Sequence, residues 1–241
     1  MDPTLAVLLY ASAAALVAAA GPLPLALAGR LPAGWLGWAN ALAAGVMLGV
    51  AYALVSVGLP GSPMHAAAGA LLGIGFLGWA RSVGGGDLDI EALNEASPAY
   101  GYRLLLANAM HAAPEGVAIG AAMAVAPDLG LFTAIAIALH NIPEAAVLST
   151  MLIPRGLLRR HAAGLAVAVN VNQVLLAVVT FAIVRAAPAV LPWALGIAFG
   201  ALVYLVIADL LPQCYRQAGR TGIAVVTVLA MGIVVALGGA R

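Results

Sequence analysis

The sequence predicts an all-α, polytopic membrane protein, and three observations carry that expectation. Apolar residues fill 64% of the 241 positions and charged residues only 8%, where a soluble domain carries about 25% charged. Mean hydropathy is +1.09. The few charges and prolines divide the chain into eight apolar runs, each near the ~20 residues that cross a hydrocarbon core about 30 Å thick at 1.5 Å per residue.

The first run, about 3–28, is uncharged, and Pro22 and Pro24 are expected to bend its far end. Arg30 follows it and no basic segment precedes it, which favours a retained span over a cleaved signal peptide. Pro60-Gly61-Ser62-Pro63 splits the next uncharged stretch into spans at about 35–58 and 64–80. Residues 81–101 read as an acidic, solvated loop, with Gly84-Gly85-Gly86 followed by Asp87, Asp89, Glu91 and Glu95. Spans at about 102–125 and 129–152 are joined by Ala126-Pro127-Asp128, a tight antiparallel turn. The remaining spans are expected at about 161–184, 191–211 and 221–240, completing one transmembrane domain over 1–241.

All ten basic residues are arginines. With eight spans, alternation of the loops gathers Arg30, Arg81, Arg103, Arg155, Arg159, Arg160, Arg216 and Arg220 on one side and leaves Arg185 and Arg241 on the other. By the positive-inside rule both termini face outward and the 81–101 loop is cytoplasmic. A net charge of +1 argues against nucleic-acid binding. The single Cys214 excludes an intrachain disulfide framework and a Cys-rich metal site.

Two copies of one phrase hold the chemistry: His111-Ala112-Ala113-Pro114-Glu115 and His140-Asn141-Ile142-Pro143-Glu144. On a helix, positions i and i+4 share a face, so each phrase aims an imidazole and a carboxylate the same way, while its proline frees backbone carbonyls nearby. Ionisable groups in apolar spans are costly. Two neutral imidazoles and two carboxylates balance a divalent cation. The phrases fall near mid-membrane on antiparallel neighbours, the trace of an inverted repeat such as transporters use to hold substrate. Ala44-Gly45-Val46-Met47 and Phe199-Gly200-Ala201-Leu202 are a fainter echo of that symmetry.

Together with Gly45-Val46-Met47-Leu48, Tyr204 and Asp209-Leu210-Leu211-Pro212, these phrases resemble the ZIP (Zrt-, Irt-like protein) family of divalent metal transporters. The resemblance covers nearly the whole chain. It implies His111, Glu115, His140 and Glu144 as metal ligands, with Met47 near the approach to the site. It also implies uptake toward the cytoplasm, zinc as the commonest substrate with iron, manganese or cadmium as variants, a homodimer, and elevator-like motion. No prosthetic group is expected.

Three positions depart from the family pattern. Family members often build a second, adjoining metal position with Asn after the fourth-span His, a carboxylate after the first fifth-span ligand, and a sixth-span Glu; here Ala112, Asn141 and Gln173 stand at those places. Without added negative charge, one metal per protomer is expected, or a weak second one. Met47 reads as packing before it reads as a thioether ligand. Asn108, Asn170, Asn172 and Gln173 read as interhelical hydrogen-bond partners, with Asn108 one turn from His111 and able to line a path. Asp209 is expected to pair with Arg216 or water, with a role in metal exit as the second reading. His65 and His161 fall in turns at helix starts and neither is assigned a role, with His65 meeting incoming metal on the outer face as the second reading.

Other classes stay open at this point. Paired buried His–Glu hydrogen bonds need no metal. A metal-dependent intramembrane hydrolase also wants buried His and Glu, yet it needs an open coordination position and a separate base, and the chain has no His-Glu-x-x-His. A receptor that binds metal without moving it is the third. Arginine without lysine, with abundant alanine and glycine, points to a GC-rich bacterial genome and hence an inner membrane.

Overall fold

The computed structural model describes residues 1–29, 31–84 and 98–239, with side chains at 33, 59, 83–84, 98–108 and 239 outside the description. Most of the acidic loop, Arg30, and the side chains of Arg103 and Asn108 therefore lie outside the described residues.

The described chain is helical throughout, and proline sets many of the starts. Helices α1 (Pro3–Val17), α2 (Pro22–Ala28), α3 (Ala33–Gly61), α4 (Pro63–Gly84), α5 (Pro98–Val125) and α6 (Pro127–Leu152) precede α7 (Arg159–Val169), α8 (Val171–Ala186), α9 (Leu191–Leu205), α10 (Leu211–Ala218) and α11 (Arg220–Gly239). Five of these begin on proline, whose missing N–H costs nothing at a position that has no intrahelical acceptor. Extended backbone at Ser62 and Ala126 turns the chain from α3 to α4 and from α5 to α6. Asp2 caps α1, its Oδ1 accepting the N–H groups of Thr4 and Leu5 at 2.9 and 3.1 Å. The bond from Leu5 holds that carboxyl below the usual aspartate value. The cap is therefore complete above the ordinary aspartate pKa and is lost as pH falls through the lowered one.

Several rods are jointed. A 3₁₀ turn at Ala18–Ala20 links α1 to α2. Asn170, with φ −89° and ψ 0°, breaks α7 from α8, and its Nδ2 donates to the Ala166 carbonyl at 2.8 Å. A π-helical turn, Val206–Leu210, separates α9 from α10. Counting joined pieces together, seven rods among the described residues are long and apolar enough to cross a membrane: 3–28, 34–58, 63–82, 127–155, 159–186, 188–218 and 220–238. Helix α5 adds 28 helical residues between the third and fourth of these. Leu71, Leu72, Val228, Leu229 and Ile233 are exposed, as a hydrocarbon surround demands and water would not.

The rods pack as two groups. In the first, α1 lies against α6 and α8, and α5 against α6 and α8; in the second, α3 lies against α9, α10 and α11, and α4 against α9. The groups meet where α3 crosses α6, α9 crosses α5, and α4 touches α5. The closest seams fall inside the groups and are lined by glycine. A Cβ at Gly69 or Gly73 would strike the Trp193 or Ile197 carbonyl of α9, and one at Gly196 or Gly200 the Ala66 or Ala70 carbonyl of α4. Gly116 and Gly120 sit likewise on the Gln173 and Ala177 carbonyls of α8, and Gly45 on the Thr227 carbonyl of α11. In lipid, where helices gain little from hiding apolar surface, such backbone approach is a main source of association. Among the described glycines none meets the other group this closely.

These seams give a paired expectation. Gly73→Ala places a methyl group against backbone and should destabilise the chain by about 1–3 kcal/mol. Gly75→Ala, two residues along where nothing lies within 4 Å, should stabilise α4 by roughly 0.5–1 kcal/mol. Unfolding of the purified chain in detergent, followed by temperature, checks both signs.

Candidate metal centre

Helices α5 and α6 each bring one phrase into the bundle. Pro114 and Pro143 lie inside these helices; each lacks the N–H that the carbonyl four residues earlier would accept, which opens the hydrogen-bond ladder beside the ionisable groups. Glu115 follows Pro114 and is 1% exposed; His140 is 2% exposed. His140 and Glu144 share a face of α6 at i and i+4.

Three side chains converge. One ligand atom from each of Glu115, His140 and Glu144 lies within 4.8 Å of the others. His140 Nε2 is 3.3 Å from Glu115 Oε1 and 3.7 Å from Glu144 Oε2. An imidazole nitrogen presented to two carboxylates brings lone pairs together unless a positive charge, a proton or a cation, lies among them. Neither Glu115 oxygen has a hydrogen-bond donor among the described residues, and His140 Nδ1 is likewise unpartnered there. A buried carboxylate without donors is costly, and His140 Nε2, 3.3 Å from Oε1, is a group able to offset that cost when it carries a proton.

His111 stands apart from that trio. Its Nε2 lies 3.2 Å from Asp209 Oδ2, and its side chain is 30% exposed. Asp209 Oδ1 forms an ion pair with Arg81, and Arg81 Nη1 also donates to the Ala208 carbonyl at 3.0 Å. The expected partner of Asp209, Arg216, is replaced by Arg81 and His111. A local cause is visible: Pro212 has no N–H, so the Ala208 carbonyl four residues earlier loses its helical donor, and Arg81 supplies one. Arg81 read as a loop-flanking cation in the sequence, and the proline placed four residues after Ala208 was the signal that could have found it.

The neutral departures are tied into structure. Asn141 Nδ2 donates to the Ala14 carbonyl at 3.0 Å and to Gln173 Oε1 at 3.3 Å, while Gln173 Nε2 reaches the Ala11 carbonyl at 3.5 Å. Asn172 Nδ2 donates to the Ala109 carbonyl at 2.8 Å, in the turn before Pro114. These bonds knit α1, α5, α6 and α8. Met47 is buried in the main apolar core. His65 accepts or donates at Nδ1 to Ser62 Oγ, 2.7 Å away, and its ring lies 5.2 Å from that of Trp193. His161 is exposed, and Cys214 packs with Ala41 and Ile223.

The family model described as "ZIP Zinc transporter" matches residues 84–239, which is well over half of the chain and contains both phrases and Asp209. The chain belongs to the ZIP zinc transporter family. ZIP proteins are transporters and not enzymes, and the several apolar rods fit a multi-pass membrane protein. An Arabidopsis thaliana protein named a "putative zinc transporter" is 29% identical over 195 residues, covering 79% of this chain and 32% of that relative. The chain thus spans about a third of the length of the curated relative it matches.

The Asn141 bridge should matter to stability apart from any ion. Asn141→Ala removes bonds to α1 and α8 and should cost roughly 1 kcal/mol, within the range of interhelical hydrogen bonds in lipid. Thermal unfolding of the metal-free protein in detergent reads this loss.

Proposed function

We propose that the chain carries a divalent cation, zinc first and iron, manganese or cadmium as variants, across a membrane toward the cytoplasm. The observation that carries this reading is the convergence of Glu115, His140 and Glu144 inside an apolar bundle. Two ligands about 2.0–2.1 Å from a tetrahedral zinc lie about 3.3 Å apart, close to the 3.3 and 3.7 Å separations about His140 Nε2. Imidazole and carboxylate without thiolate suit zinc and its first-row neighbours, and hold them loosely enough for a carrier to release. His111 is the fourth ligand in this reading. Asn141 and Gln173, committed to each other and to α1, favour one metal per protomer.

In this reading α5 is an eighth span and both termini face outward. Arg185 helps hold the Asp2 carboxyl down, which puts the N-terminus and one of the two minority-side arginines at the same end. The packing supports an inverted repeat: α3 against α11 and α6 is matched by α9 against α4 and α5, and α1 against α6 by α8 against α5. Two groups sealed internally by glycine and meeting along looser seams suit an elevator, in which one group slides with its ion past the other. The cell carrying it is a bacterium, the membrane its inner one, and the working form a homodimer. A hydrolase is disfavoured because the three converging groups and His111 leave no separate general base.

Radiometal uptake into proteoliposomes holding the purified chain tests this. Zinc flux should be abolished by Glu144→Gln and by His140→Ala. In the unmodified chain it should also fall as the outside is acidified toward the ordinary histidine pKa of about 6.5, because protons compete for the same atoms. Flux that survives both substitutions, or is indifferent to acid at constant driving force, contradicts the assignment.

A further inference from the structure

Between the two helix groups runs a polar chain that the metal centre itself does not need. Arg81 at the end of α4 and Asp209 in the π-helical turn belong to the second group, and His111 on α5 to the first. Asp209 thus faces both ways, with Oδ1 toward Arg81 and Oδ2 toward His111. Two features fix its position. Arg81 is bound to Asp209 and to the Ala208 carbonyl at once, and the π turn, a geometry often found at functional sites, widens the helix at this point.

We propose that Arg81 and Asp209 are positioning residues that withhold His111 from the Glu115–His140–Glu144 centre until an ion arrives there. The proposal rests on the metal-carrier reading above. His111 Nε2 can serve the Asp209 carboxylate only through an N–H and a cation only through a lone pair, so completing the ligand shell through that nitrogen requires its proton to leave and the 3.2 Å contact to break. The group placed to take a proton from that nitrogen is Asp209 Oδ2, 3.2 Å away. Breaking the contact also removes a polar tie between the groups, so ion capture and freedom to move become one event. A ligand that must be won from a competitor binds more weakly by the free energy of that competition, which also favours release on the far side.

The test is zinc titration calorimetry on the full chain in detergent micelles, with the native protein, Asp209→Asn, His111→Ala and the double variant. Asp209→Asn should tighten zinc binding by about 3–10-fold where His111 is present, and leave it unchanged where His111 is already Ala. A change of equal size in both backgrounds, or weakened binding with His111 present, overturns the proposal, since a merely structural aspartate would act in both. A measurement on the native chain stands independent of any variant's folding. With histidine nitrogens labelled, zinc should move the resonances of two of the four imidazoles, and movement of one alone overturns it. Glu144→Gln separates the two readings: if it leaves zinc affinity intact, the metal centre fails, whereas if it weakens affinity and the Asp209 effect is absent, only the positioning role fails.

Discussion

A carboxylate with no hydrogen-bond donor among the described residues, 1% exposed in an apolar bundle, is the constraint on which the rest of this structure depends. Glu115 would be an expensive feature in any protein and more so in lipid, where no water compensates it. What offsets it nearby is His140, itself facing a second carboxylate on the next turn of α6. Alanine and glycine crowd α5 against α8, the Asn141–Gln173 pair satisfies itself and α1, and the arginine that does enter the bundle from α4 is spent on Asp209.

The prolines and glycines divide the labour between flexure and cohesion. Pro114 and Pro143 open the backbone ladder beside the ionisable side chains, and Pro212 frees the Ala208 carbonyl that Arg81 occupies. Glycine instead closes helices onto one another: α4 on α9, α5 on α8, α3 on α11. Those closures stay inside each group among the described glycines, and the contact of His111 with Asp209 crosses from one group to the other.

Much of this was legible in the sequence, and the reasons are physical. Composition alone decides an all-helical membrane chain, since only helices satisfy their own backbone in lipid without closing a barrel. The repeated phrase pointed to His111, Glu115, His140 and Glu144 because i, i+4 spacing and charge balance act within single helices, but only the last three come together and His111 lies against Asp209. What could not be read depends on which helices touch. Asp209 was matched to the nearer Arg216 or to water when it pairs with Arg81, 128 residues away in the chain. The π turn at Val206–Leu210 and the break at Asn170 also escaped, because apolar runs look the same whether the helix inside them is continuous or jointed.

The central claim is that these acidic and imidazole groups share one ion. X-ray absorption at the zinc edge, on the purified zinc-loaded chain, examines that ion's surroundings directly. The account predicts a shell of nitrogen and oxygen atoms alone at about 2.0–2.1 Å with imidazole scattering beyond it, and loss of that signature in Glu115→Gln. A sulfur neighbour near about 2.3 Å, drawn from Met47 or Cys214, or a shell unchanged by Glu115→Gln, would contradict it.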